Sequence, residues 1–193
     1  MTRDRIVAEA ARLMYADGVA GTSIEDVKAA AGVSSSQLYH YFADKQALVR
    51  AVIAHQADAV LAAQQPLLGR LDSLEALTAW RDLAVAFQRE HQLGCPIGSL
   101  AGELAKTNPE ARADLTLGFG RWESAIRDGL HAMRVRGELR PEADPDRLAL
   151  AVLAALQGGL MLTQVRRQTA PLEAALDAML EHIASLAVPM AGR

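Results

Sequence analysis

Apolar residues recur along this chain at helical spacing, with polar residues between them. Ile6, Ala10, Leu13 and Met14 form a stripe that predicts a helix over about residues 2–16, stopped at Gly18. Ile24, Val27 and Ala31 lie at i, i+3 and i+7 and predict a short second helix. Thr22 and Ser23 suit its N-cap, Glu25 and Asp26 its first turn, and Gly32 its left-handed end. Val33 is placed to plug the angle after that turn. Ser34 suits the cap of a third helix, with Ser35, Ser36 and Gln37 in its first turn and Leu38 and Phe42, at i and i+4, toward the core. A longer helix is expected over about 44–65, capped by Asp44 and stopped before Pro66. Its Leu48, Val52 and Ile53 belong with the first helices, and Val60 and Leu61 with the helices of the second domain.

The same signals continue to the end. Ser73 caps a helix to about Gln92 with the stripe Leu74, Leu77, Trp80 or Ala84, Phe87 and His91. A break over 93–98 leads to a short helix over about 99–106. Asn108-Pro109-Glu110 restarts the chain, with a cap, a proline at the first position and an acid behind it, and that helix runs to Gly137. Asp144-Pro145 opens a helix to about 167, and Pro171 one to about 187. No strand-like alternation, repeat or low-complexity segment interrupts them, so the expectation is an all-α chain of about nine helices.

Residues 22–48 carry the chemistry. Two short helices joined by a tight glycine turn are the frame of a helix-turn-helix, which lays its second helix in the DNA major groove. The outward or bordering positions of that helix are Ser36, Gln37, Tyr39, His40 and Tyr41. A merely solvated helix would carry Lys and Glu; hydroxyls, an amide and phenols suit phosphate oxygens and base edges. Lys45, at the start of the next helix, suits a phosphate as a point charge. The candidate DNA-binding residues are Thr22, Ser23, Ser34, Ser35, Ser36, Gln37, Tyr39, His40, Tyr41 and Lys45. The alternative is a structural helical hairpin, in which Ser34 only caps, Tyr39 is partly core and Lys45 is an ordinary solvated lysine.

The stretch resembles the N-terminal domain of the tetracycline-repressor (TetR) family of bacterial transcription regulators. Gly18, Thr22, Ser23, Ile24, Val27, Ala31-Gly32-Val33-Ser34, Leu38-Tyr39-His40-Tyr41-Phe42, Lys45 and Leu48 carry the resemblance. It implies a three-helix DNA-binding domain over 1–48, a helical ligand-binding and dimerisation domain over 49–193, and a ligand-responsive homodimer on a palindromic operator. Repression is the family's common mode. Lys28 departs from the pattern, standing where the family has a small buried alanine; its stem either snorkels past the third helix or reaches a phosphate. Gly94-Cys95-Pro96-Ile97-Gly98, followed by Leu100, Ala101 and Glu103, is similar to a motif of the lincomycin-repressor-like subgroup.

Composition bounds this picture. A chain of 193 residues, 51% hydrophobic, is long enough for a substantial core and not of disordered type. The net charge is −3, and residues 1–66 carry six Lys/Arg against seven Asp/Glu, so DNA affinity should be modest and salt-sensitive, with Lys45, Arg50 and His40 concentrated at one surface. Cys95 stands alone, which excludes an intrachain disulfide; that, and a charged amphipathic start in place of a signal peptide, fit the cytoplasm. Residues 148–165 are free of charge, but Gln157, Gly158, Gly159 and Gln164 favour a buried helix over a membrane span.

That apolar helix needs cover on more than one face. Pairing it and the last helix with their symmetry mates gives a four-helix interface, expected at Leu153, Gly158, Leu160, Leu176 and Leu180, and sets two recognition helices about 34–36 Å apart. Trp80, Phe87, His91, Phe119, Trp122, Gln157 and Met161, with Met133, are the candidate lining of a pocket for a small apolar or aromatic ligand, a pocket that the resemblance implies more than the spacing does; the alternative is plain core. An enzyme is not expected. His91 and Cys95 are four apart, but Pro96 breaks the helical spacing, no third ligand is near, and no phosphate loop, HExxH or GxSxG occurs. No cofactor or metal is expected, and Cys95 reads as a small buried residue, not a redox centre.

Overall fold

The caps set the helix boundaries in the computed structural model, which describes residues 2–91 and 94–188. Helix α1 spans Thr2–Gly21, broken at Gly18, whose φ of 77° and ψ of 163° interrupt the spiral before one last turn. Helix α2, Ile24–Ala31, starts at Ser23 and stops at Gly32, which takes the left-handed conformation. Helix α3, Ser35–Tyr41, starts at Ser34, and α4 runs Lys45–Ala63 behind Asp44, whose carboxylate accepts from the Ala47 amide at 2.7 Å. A 3-10 turn, Leu67–Arg70, comes next, which the apolar spacing does not announce. Then come α5, Leu74–His91, α6, Pro96–Leu104, and α7, Pro109–Val135. The last two are α8, Pro145–Arg166, and α9, Ala170–Ser185. Among the described residues these nine α-helices are joined by no strand, only one isolated bridge between Leu139 and Ala187. The expected helix end at Gln92, and Leu93 of the expected break, lie outside the described residues. Helix α6 starts at Pro96, earlier than the expected 99, because proline is at home in a first helical turn.

The helices pack into two compact units: residues 1–60 with 96–119, and 61–95 with 120–193. This differs from a split at 48/49, because α6 and the first part of α7 pack with the N-terminal helices. In the first unit Ile6, Ala10, Val27, Leu38, Phe42, Leu48, Val52 and Ile97 are buried together. In the second, Leu77, Trp80, Ile126, Leu130, Met133, Leu156 and Leu172 form the core.

Two glycines of the second unit permit backbone contact. A Cβ at Gly159 would lie 2.8 Å from the Leu172 Cα, so Gly159 seats α8 on α9 of the same chain. A Cβ at Gly129 would collide with the Leu71 carbonyl oxygen, which cannot yield as a flexible side chain does. Gly129→Ala is expected to cost about 3 kcal/mol and lower Tm by roughly 9 °C in thermal unfolding. Gly102→Ala, into open space, should not lower it; equal melting of both variants would refute the close packing.

Helix α8, free of charge over residues 148–165, is long and apolar enough to cross a membrane by composition. It is covered on one side only. Leu148, Ala149, Val152, Leu153, Leu156, Gly159, Leu160 and Thr163 are buried within the chain. The opposite stripe is open: Leu150, Ala154, Met161 and Val165 are exposed, and Gly158 faces empty space.

Candidate nucleic-acid interface and effector site

Both short helices of the first unit begin with reciprocal capping. The Ser23 hydroxyl oxygen accepts from the Asp26 amide at 3.1 Å while the Asp26 carboxylate accepts from the Ser23 amide at 2.9 Å. The bonds from the Ser23 hydroxyl and amide hold the Asp26 carboxyl below the ordinary aspartate range, so the carboxylate half of this cap is intact above that range and is weakened as pH falls through the lowered pKa. Ser34 and Gln37 repeat the motif, with the Ser34 oxygen accepting from the Gln37 amide at 3.2 Å and the Gln37 side-chain oxygen accepting from the Ser34 amide at 2.9 Å. Between them the turn closes with Val33 N–H donating to the Lys28 carbonyl at 3.1 Å.

Leu38 and Phe42 are buried and anchor α3 to the core, and that orients the rest outward. Ser35, Ser36, Gln37, Tyr39, His40 and Tyr41 are all exposed, Tyr39 at 54% and Tyr41 at 41%. Tyr39 is therefore not core. The His40 ring meets Tyr41 edge-on at 4.9 Å between centroids, which restricts both side chains. Large aromatic surface left open on a short helix marks a contact surface.

Two expectations here need correction, those for Thr22 and Arg50, and that for Lys45 is narrowed. Thr22 is buried, and its hydroxyl donates to the Gly18 carbonyl at 2.8 Å, so it is committed to the fold and its side chain offers DNA nothing. Lys45 is half-buried, its ammonium donating to the Val19 carbonyl at 2.6 Å; two of its three N–H groups remain for a phosphate. Arg50 is clamped by Asp114 at 2.7 Å, with Glu110 at 3.5 Å, and so is not part of a basic surface beside α3. Lys28 is settled too: its stem is largely covered and its ammonium pairs with Glu25 at 2.6 Å. Sequence reasoning missed Arg3, whose guanidinium lies 5.4 Å from the centroid of the Phe42 ring and so brings a cation to the end of α3. No local pattern announces it, because the pairing joins the two ends of the three-helix group.

The expected pocket residues scatter. Trp80 is buried and its indole N–H donates to the Gln64 side-chain oxygen at 2.7 Å. Phe87 and His91 are not pocket-lining in this chain: both are exposed and stack on each other at 4.5 Å. The reason is Gln88. It is buried, and its amide exchanges two 3.1 Å hydrogen bonds with the Gly94 peptide, which turns α5 so that Phe87 faces out. Met161 is exposed and Phe119 is half-buried. Trp122 and Met133 are buried. The Trp122 indole nitrogen, the Gln157 amide nitrogen and the Thr163 hydroxyl are buried without a hydrogen-bond partner among the described residues. Such atoms cost about 1–3 kcal/mol each when unpaired. Cys95 is buried.

The expected dimer residues also need correction. Leu153, Leu160 and Leu176 are buried inside the single chain, where α8 packs on α9, and so cannot form an outer surface. Leu180 is half-buried. Of the five, Gly158 is the one on the open stripe.

Known proteins share this architecture throughout. A profile described as bacterial regulatory proteins, tetR family, matches residues 6–52, and one described as tetracyclin repressor-like, C-terminal domain, matches residues 71–179. A helix-turn-helix transcriptional regulator from the lacX 3′ region of Lactococcus lactis subsp. lactis is 29% identical over 91% of this chain and 90% of its own length. The helix-turn-helix repressor DhaR of Mycobacterium sp. (strain GP1) is 23% identical over 93% of this chain and 90% of its own. The crystal structure of a TetR transcriptional regulator from Chloroflexus aurantiacus superposes with a TM-score of 0.83 at 32% identity, covering 96% of both chains.

Proposed function

Because this chain belongs to the tetracycline-repressor family of DNA-binding transcription regulators, we propose that it is a repressor that binds a palindromic operator as a homodimer and is released by a small molecule. The observation that carries the reading is the outward face of α3, where serines, a glutamine, a histidine and two tyrosines stand exposed on a doubly capped helix. Serine and glutamine suit base edges and phosphates, and the phenols suit phosphate oxygens and thymine methyls. Lys45 and Arg3 supply the cations beside them.

Two copies are needed because one α3 of seven residues reads only a few base pairs. The open stripe Leu150, Ala154, Gly158, Met161 and Val165 of α8, with Ala174 and Ala178 of α9, is the proposed interface. It is apolar, small in its middle, and so admits a close helix crossing. The effector is proposed to be a small apolar or aromatic molecule in the second unit, with Trp80 and Trp122 in its walls and Gln157 and Thr163 as polar contacts. It acts by binding the released state more tightly, and a few kcal/mol of difference suffices. The proposed setting is the cytoplasm, with the operator.

The test is selection of DNA duplexes from a random pool by the full chain. Enrichment of an inverted repeat with half-sites about one helical turn apart is expected. Recovery of no sequence above background would overturn the reading.

A further inference from the structure

Glu103, on α6, reaches back to the broken end of α1. Beyond Gly18 the chain resumes one helical turn, and the first amides of that turn have no carbonyl behind them. One Glu103 carboxylate oxygen accepts from the Val19 amide at 2.9 Å, and the other accepts from the Ala20 amide at 2.9 Å. A carboxylate on two amides at a helix start is charge-assisted on both bonds and aligned with the helix dipole. Gly18 is suited to the position because its φ is positive.

The same short link is held from its other sides. The Val19 carbonyl accepts from the Lys45 ammonium, and the Gly18 carbonyl from the Thr22 hydroxyl. Ser23, the N-cap of α2, is the next residue after Thr22. The path from the Glu103 carboxylate to the start of the helix-turn-helix is therefore a fixed piece of backbone. A cavity of about 80 Å3 lies beside it, lined by Tyr15, Gln56, Ser99 and Glu103 among others.

We infer that Glu103 is a positioning residue for DNA reading: as the cap of the broken end of α1, it sets the angle at which α2 and α3 are presented. This rests on α3 being the DNA-reading helix. The motif in which Glu103 stands thereby acquires a role at the DNA-binding end of the molecule. Glutamine in its place keeps the shape but offers one acceptor oxygen and no charge, so one of the two amides loses its partner.

The experiment compares the full-length wild-type and Glu103→Gln chains on the duplex that the wild type selects from a random pool, and on duplexes with the half-site spacing one base pair longer or shorter. Glu103→Gln should keep wild-type helicity and mass, exchange its Val19 and Ala20 amide hydrogens faster, and bind the selected spacing about tenfold more weakly. Its preference among the three spacings should flatten. Should that variant not fold, Glu103→Asp, which keeps the charge but is one methylene short, is read in the same way. An unchanged spacing preference, or an equal loss on all three duplexes, overturns the inference and leaves the DNA reading standing. Failure of the wild-type chain to select any duplex overturns both.

Discussion

Val165→Glu is expected to halve the mass of the protein in solution and to lower operator affinity at least about a hundredfold. Val165 is 75% exposed on α8, in line with Met161 at 60%, and neither supports the core of its own chain. A two-fold interface meets every substitution twice, so two carboxylates would be buried close together without partners, at a cost of several kcal/mol. Loss of the second copy then removes half of the operator contacts and their fixed spacing. Helicity and melting of the separated chain should stay near wild type, because the side chain lies outside the core. Light scattering and gel-shift titration read the two effects. A dimer of unchanged mass would refute the α8 stripe as the interface. Leu160→Glu is uninformative here, since Leu160 is buried within the chain and its loss would damage the fold itself.

The second large effect is expected on α3. Tyr39→Ala with Tyr41→Ala should weaken binding of the selected duplex by about a hundredfold, roughly tenfold for each lost contact. Both phenols are exposed and neither is part of the capping or the core, so helicity and dimer mass should remain. Tyr41 also packs against His40, so its removal frees that ring as well. Affinity within twofold of wild type would refute the assignment of this face. Lys45→Ala is the less clean probe, because the ammonium also holds the Val19 carbonyl; a loss there mixes charge with geometry.

Much of the fold was legible because the signals are local. A serine at the start of α2 or α3, the asparagine before Pro109 and the aspartate before Pro145 each act over two or three residues. Gly32 ends α2 through its own backbone conformation. The 3-10 turn at Leu67–Arg70 escaped because four residues are too few for a periodic pattern. The outward face of α3 was legible for the same reason as the caps: once Leu38 and Phe42 are inward, helical geometry sends the serines and tyrosines out.

The sequence by itself determined the helices, their order, the helix-turn-helix and the exposed chemistry of α3, since each arises from contacts between near neighbours. Only the tertiary structure decided how apolar residues are shared between the inside of one chain and its surface. Leu153 and Val165 read alike in the sequence, and α9 covers one of them and leaves the other open. It also decided that Gln88 turns inward in place of Phe87, that Arg50 belongs to Asp114, and that Glu103 caps a helix formed eighty-four residues earlier. Those partners are brought together by packing, and no periodicity along the chain records which distant groups will meet.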